Sequence, residues 1–408
     1  MDFPFVIKGQ FVPGIAQMIF SGSAEPEGPK SMLEGQEEGD FDDILKAREV
    51  CKDWRDIIDT QSGLWSSFGG FHTNYYLRAV EENKIDIVRN FVAFGKEPNP
   101  VLTSDDLLDL YPPDNDHWNP YDVGATPLHA SAELGRIEIF KLIIQKAENK
   151  NPETISGSTP MHIAAWKGHN QIIQVLMEDD RVGEKNPAKK DGTTPLHLAA
   201  SCGNAETCKI IMQHTQERSP ADTYGGTPLH AAAVSGHTET FKILMESVQD
   251  KNPANKVGFT PLHYAAGENH LHLVKILVEN ITDICPGTLE ETEDSGFAGF
   301  LEEDYAVGTT PLHLAAGHGQ FETFKYLMEM VKRVSGNINP PDGRGDTPLH
   351  SAIEEGHTDI ARLILQNVED LHPINEDGES PLDAVKRLGW YDQDDVVKMW
   401  SEFEKEDK

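Results

Sequence analysis

The sequence predicts an all-α solenoid: stacked pairs of short helices joined by short β-hairpins, with a small helical module ahead of the stack. Three observations predict it. The tetrapeptide Thr-Pro-Leu-His, or a near copy, begins at Thr126, Thr159, Thr194, Thr227, Thr260, Thr310 and Thr347, and a variant, Ser-Pro-Leu-Asp, begins at Ser380. Successive starts lie 33, 35, 33, 33, 50, 37 and 33 residues apart, a period that marks a stacked array rather than independent domains. An Ala-Ala pair, a Gly-His and an amphipathic run keep step with it, as in Ala164-Ala165, Gly168-His169 and Phe241 to Met245.

Each element of the period has a physical reason. Thr-Pro opens the first helix, because the Thr hydroxyl can cap orphan N–H groups and Pro at the first helical position has no N–H to lose. The alanines let helices approach closely. Gly ends the short first helix by accepting a left-handed conformation. The Ile, Leu and Met spacing of the second helix makes one apolar stripe. Asn-Pro or Ser-Pro, as at Asn151, Asn186, Ser219, Asn252 and Asn339, stops the preceding helix and starts an extended turn.

These residues resemble the ankyrin repeat family, whose unit is a hairpin and two helices. The resemblance covers residues 119–390, as seven repeats over 119–378 and a C-terminal capping repeat over 379–408. It implies a protein-binding solenoid without catalytic activity. Residues 71–118 hold an N-terminal capping helix pair, with the pattern Ala79 to Val88, and a linker with a helical stretch around Asp105–Leu110. The C-terminal cap is expected to bury Val396, Val397, Trp400 and Phe403. The long spacing places an acidic insertion at 281–305, with no Lys or Arg between Lys275 and Lys325. It reads either as a solvated loop or as a short binding motif, with Phe297, Phe300, Leu301 and Tyr305 set among the acids.

Ahead of the stack, residues 1–70 form a helical module interrupted by an acidic, Gly/Ser/Pro-rich stretch at 21–43. Ile44, Leu45, Val50, Cys51, Trp54 and Arg55, followed by Leu64 and Trp65, resemble the second half of an F-box, which docks a substrate receptor on the Skp-type adaptor of a cullin–RING ubiquitin ligase. Val12-Pro13 and Ile15 to Ile19-Phe20 stand where a displaced first half would lie. The resemblance implies that these residues bind such an adaptor. The alternative is a helical hairpin packed on the first repeat, in a scaffold or inhibitor with no ubiquitin link.

Charge and composition limit the function. Thirty-five Lys and Arg against 68 Asp and Glu leave the 408-residue chain at −33. That argues against nucleic acid and against an anionic membrane surface as partners. It suggests a monomer with a weak preference for basic protein surfaces. No run approaches the ~20 apolar residues of a membrane span, and the start, Met1-Asp2-Phe3-Pro4, lacks the basic stretch of a secretory signal. Four cysteines are too few for a disulfide scaffold, which suggests a reducing compartment, cytosol or nucleus.

Of 17 histidines, seven end the tetrapeptide (His129, His162, His197, His230, His263, His313, His350) and four follow the helix-ending Gly or Asn (His169, His237, His270, His357). One copy per repeat suggests a structural role, bonding backbone between neighbouring turns, rather than a metal or acid–base site. Cys202 and Cys208 lack zinc-type spacing, and Gly343-Arg344-Gly345 lacks the Lys-Ser/Thr of a phosphate loop. No cofactor or metal is expected.

Recognition then falls to variable positions: the residue just before each tetrapeptide, and the pair after Ala-Ala. The candidate groove residues are Glu133, Leu134, Trp166, Lys167, Tyr224, Phe259, Glu268, Glu354 and Glu355. Trp166, Tyr224 and Phe259 are the large aromatics expected to be exposed. They read either as interface anchors or as solitary rings lying on a neighbouring hairpin.

Overall fold

The computed structural model describes residues 6–7, 10–11, 73–94, 98–102, 123–289, 305–388 and 400. The F-box-like residues 44–65, the helical stretch at 105–110, residues 290–304 and Val396, Val397 and Phe403 lie outside them. The chain divides into two compact bodies, one ending at Asn149 and the other beginning at Lys150.

In the N-terminal body, β1 (Val6–Ile7) pairs antiparallel with β2 (Gln10–Phe11), Val6 opposite Phe11. Helices α1 (Thr73–Glu81) and α2 (Ile85–Phe94) pack on each other and on α3 (Pro127–Glu133) and α4 (Ile137–Lys146) respectively. Leu77, Val80, Val88, Leu128, Phe140 and Ile143 form the core. Asn83, at φ 58, turns the chain from α1 to α2 in the left-handed conformation that Gly135 supplies between α3 and α4. Arg136 replaces the usual histidine there and donates to the Glu81 carbonyl at 3.2 Å.

The C-terminal body contains α5 (Pro160–Lys167), α6 (Asn170–Glu178), α7 (Pro195–Ser201), α8 (Ala205–His214), α9 (Pro228–Val234), α10 (Thr238–Ser247), α11 (Pro261–Gly267), α12 (Leu271–Asn280), α13 (Pro311–Gly317), α14 (Phe321–Val334), α15 (Pro348–Glu354), α16 (Thr358–Leu365) and α17 (Pro381–Leu388). First helices touch the first helices of the next repeat, and second helices touch second helices, so the repeats stack in two layers. The alanine pairs, for example Ala199-Ala200 and Ala265-Ala266, have no exposed surface. Phe241, Leu277, Phe324 and Ile364 bury the stripe of the second helices. Trp400 is buried, and its Nε1–H donates to the Leu371 carbonyl at 3.1 Å.

The tetrapeptide closes each first helix at its N-terminus with a reciprocal cap in which His takes the place usually held by Glu or Gln. In all seven copies the Thr N–H donates to the His Nδ1, at 3.0–3.2 Å. The asparagines of Asn-Pro do more than stop a helix. Asn151, Asn186, Asn252 and Asn339 each accept, through Oδ1, the amide of the residue after Pro in the next first helix, at 3.0–3.2 Å.

The expected β-hairpins are tight turns; among the described residues no strand forms between the helices. Each is closed by a pair of bonds, such as Asp222 N–H to Gly226 O and Gly225 N–H to Asp222 O. Tips bond to their neighbours, Lys190 N–H to Ser156 O, Thr223 to Asp191, Lys256 to Tyr224, and Leu289 to Val257. Two or three bonds per turn are too few to propagate a ladder. The same pattern corrects the insertion's boundary. Thr288 N–H bonds Thr309 O and Gly308 N–H bonds Thr288 O, so residues 281–289 follow the ordinary repeat path and the extra chain enters at the tip, between Leu289 and Tyr305.

Candidate protein-binding surface

The histidines form two linkage rows. A Thr N–H donating to Nδ1 requires that nitrogen to be unprotonated, so the neutral ring carries its proton on Nε2. That Nε2–H donates to a carbonyl of the next repeat at 3.1–3.3 Å: His162 to Thr193, His197 to Gly226, His230 to Phe259, His263 to Thr309, His313 to Asp346 and His350 to Glu379. The second row points the other way, capping the end of the preceding first helix. His270 reaches Val234 O at 3.0 Å and His357 reaches Gly317 O at 2.9 Å, while Asn204 donates to both Ala165 O and Trp166 O at 2.8 Å. Burial pushes His230, His263 and His313 down to about 4, outweighing the carbonyl bonds that favour the charged ring. These rings are committed to the backbone.

Other reactive groups are similarly absorbed. Burial raises the Cys208 thiol to about 12 and the Cys285 thiol to about 11. Cys285-Pro286 occupies the Asn-Pro position of its repeat, a correspondence the 17-residue lengthening conceals in the sequence. Among the described residues, no group of three or more His, Cys, Asp or Glu side chains converges as a metal ion would require, and no helix is long and apolar enough to cross a membrane.

The candidate groove residues lie on the first helices and the turns between repeats. Seven and eight positions beyond the repeat threonine stand Glu133-Leu134 in the N-terminal body, and Trp166-Lys167, Gly267-Glu268 and Glu354-Glu355 in the C-terminal one. Leu134, Trp166, Lys167, Glu268, Glu354 and Glu355 are exposed, and Glu133 is half-buried. Trp166 is 40% exposed. The Lys167 ammonium lies 4.3 Å from its ring centroid, and Asn204 holds its carbonyl at 2.8 Å, so an amphipathic side chain sits on fixed backbone. At the last repeats, Arg387 bridges Glu354 and Glu379, both at 3.2 Å.

The aromatics divide. Tyr224 stands exposed at a tip, but Phe259 is only 3% exposed, which corrects the expectation that it faces outward. It packs with Val257 and Leu314, and its ring lies 5.6 Å from Tyr264 and 5.4 Å from Tyr305. The physical reason is general. The residue before the tetrapeptide offers its carbonyl to the linking histidine, which places it at the base of the hairpin; Ala125 and Thr309 are buried there too. The tip lies two to three residues earlier, and there sequence reasoning missed Ile155 and Val307, 58% and 41% exposed, as it did Leu289, 57% exposed on the incoming side of the insertion. No motif marks them; the bonds between neighbouring turns, such as Leu289 N–H to Val257 O, place them.

Comparison with known proteins agrees with this geometry. The family profile described as Ankyrin repeats (3 copies) matches residues 77–187, 182–255, 216–288, 245–336 and 295–377. An ankyrin repeat-containing protein of Schizosaccharomyces pombe is 31% identical over 61 residues, 14% of this chain and 30% of that protein. The human transient receptor potential cation channel subfamily A member 1 is 35% identical over 57 residues, 14% of this chain and 5% of the channel. The chain thus matches less than a third of the length of either relative. With the profile covering most of the chain and each repeat built as capped helix pair and turn, this protein belongs to the ankyrin repeat family.

Proposed function

We propose that the chain is a protein-recognition scaffold whose hairpin tips and first helices bind a partner protein, with Trp166 and Lys167 as an anchor. The exposed, backbone-fixed Trp166 carries the reading, because a partly exposed Trp stacked by a cation costs stability little and offers large contact area to a partner. Tyr224, Glu268, Glu354 and Glu355 are further contacts in the C-terminal body, and Glu133 and Leu134 are the equivalent residues of the N-terminal body. Phe259 supports the surface from beneath. The test immobilises the full chain, identifies retained proteins by mass spectrometry, and repeats the capture with Trp166→Ala. Loss of a specific protein by a folded variant supports the reading; an identical retained set defeats it.

A second reading rests on one sequence observation, the run Val50-Cys51-Lys52 and Trp54-Arg55 followed by Leu64-Trp65. On that reading Ile44, Leu45, Val50, Cys51, Trp54, Arg55, Leu64 and Trp65 bind a Skp-type adaptor, and the repeats recruit a substrate to a cullin–RING ubiquitin ligase. Co-expression with the adaptor tests it: co-purification with wild type and loss on Val50→Ala with Trp54→Ala is expected. Failure of the wild type to retain adaptor leaves the scaffold or inhibitor reading alone.

A further inference from the structure

We infer that the first-helix and tip face of the C-terminal body is charge-polarised and accepts an extended segment of a partner protein in one direction. Its acidic residues lie toward Trp166, its apolar residues in the middle, and its Lys or Arg toward Glu354. The inference rests on the protein-binding reading and adds the chemistry and orientation of the bound segment. Trp166-Lys167 and Glu354-Glu355 occupy equivalent positions five repeats apart, so one row of the same face changes from cationic to anionic.

The tips follow the same trend. Lys190 is exposed on the tip that bonds Ser156 of the Trp166 repeat at 3.2 Å. At the other end Glu376 and Asp377 are exposed on the tip bonded to Arg344. Asp191 beside Lys190, Glu268 in the middle of the row, Lys256 and Arg344 depart from the trend, but Arg344 stands beside Asp342, whose carboxylate accepts its amide at 2.8 Å. Arg387 offsets part of the negative charge at this end through its bridges to Glu354 and Glu379, leaving Glu355, Glu376 and Asp377 in excess. Between the ends, half-buried Tyr264 and Tyr305 over Phe259 provide the apolar stretch. Five helix spacings of ~8–10 Å make about 40–50 Å, which an extended segment of about 12–15 residues spans.

Overall charge alone gives a different expectation. A chain at −33 should simply prefer uniformly basic segments. The test selects a displayed library of random 16-residue peptides on the full chain, then measures synthetic winners against wild type and variants. The expected winners carry an acidic block, an apolar block and a basic block. Lys167→Glu with Lys190→Glu, and separately Glu354→Lys with Glu355→Lys, should each weaken them about tenfold. A photo-crosslinker on the acidic end should label the Trp166 repeat and not the Glu354 repeat. Uniformly basic winners, unordered charge, no winners at all, or labelling of both ends overturns the inference. Binding that Trp166→Ala abolishes but the charge reversals leave unchanged sinks the polarity and leaves the protein-binding reading standing. Binding unchanged by Trp166→Ala as well sinks both.

Discussion

Lowering the pH from 7 to 5 should unstitch the repeats, and the size of the loss follows from three rings. His230, His263 and His313 are held neutral in the fold, at about 4 against an ordinary 6.5. The folded values are depressed, so between pH 6.5 and 4 the unfolded chain binds more protons than the folded one. Stability therefore falls as pH drops through that window. A shift of this size is worth about 3 kcal/mol per ring in full, and about 2 kcal/mol of it is lost by pH 5. Protonation also places a proton on Nδ1, where the Thr N–H now donates, so the cap opposes it, while the inter-repeat bond keeps its Nε2–H and favours the charged ring. Acid also neutralises part of the −33 charge, which acts oppositely, so the assay is a difference. Urea unfolding by circular dichroism is compared for wild type and His263→Gln at pH 7 and pH 5. At pH 7 the variant should be less stable by about 2–4 kcal/mol, because the Thr260 N–H and Thr309 carbonyl lose buried partners. By pH 5 that gap should narrow by about 2 kcal/mol. A gap independent of pH would refute the argument.

Glycine positions separate conformational strain from steric exclusion. Gly378, at φ +78 with open space where a methyl would stand, should lose about 1 kcal/mol on substitution by Ala. Gly192→Ala should lose more than about 2 kcal/mol, because its Cβ would sit 2.6 Å from the Thr223 amide nitrogen at φ +81; equal losses in thermal unfolding contradict this. Asn252→Ala strands the Leu262 amide and should cost about 1 kcal/mol. Ser219 makes no such bond among the described residues, so Ser219→Asn should gain stability rather than lose it; unfolding midpoints decide both. Trp166→Ala should lower the unfolding midpoint less than truncating a fully buried aromatic such as Phe241, since Trp166 is 40% exposed.

Most of the fold is legible in the sequence because the repeat's chemistry is local. Thr-Pro-Leu-His specifies its own cap within four residues, and the positive φ of Gly168, Gly236 or Gly356 follows from a helix that must stop. The partners across repeats are less legible. That Asn252 caps an amide ten residues on, or that Asn204 fixes the Trp166 carbonyl, depends on how two turns stack. The binding face is legible only in part. Phe259 looks like a tip residue by sequence distance, but the bond its carbonyl accepts from His230 puts it at the hairpin base, where Tyr305 and Tyr264 cover it. The true tip residues Ile155, Leu289 and Val307 carry no motif, and their exposure emerges only from the turn geometry.

The central claim, that the tips and first helices of the C-terminal body recognise a protein, is tested most directly by hydrogen exchange on the full chain with and without a captured partner. The account predicts new protection at the end of α5 and at the tips around Ile155, Lys190 and Tyr224, with the second helices unchanged. Protection confined to the second-helix layer, at α14 and α16 for example, would contradict it.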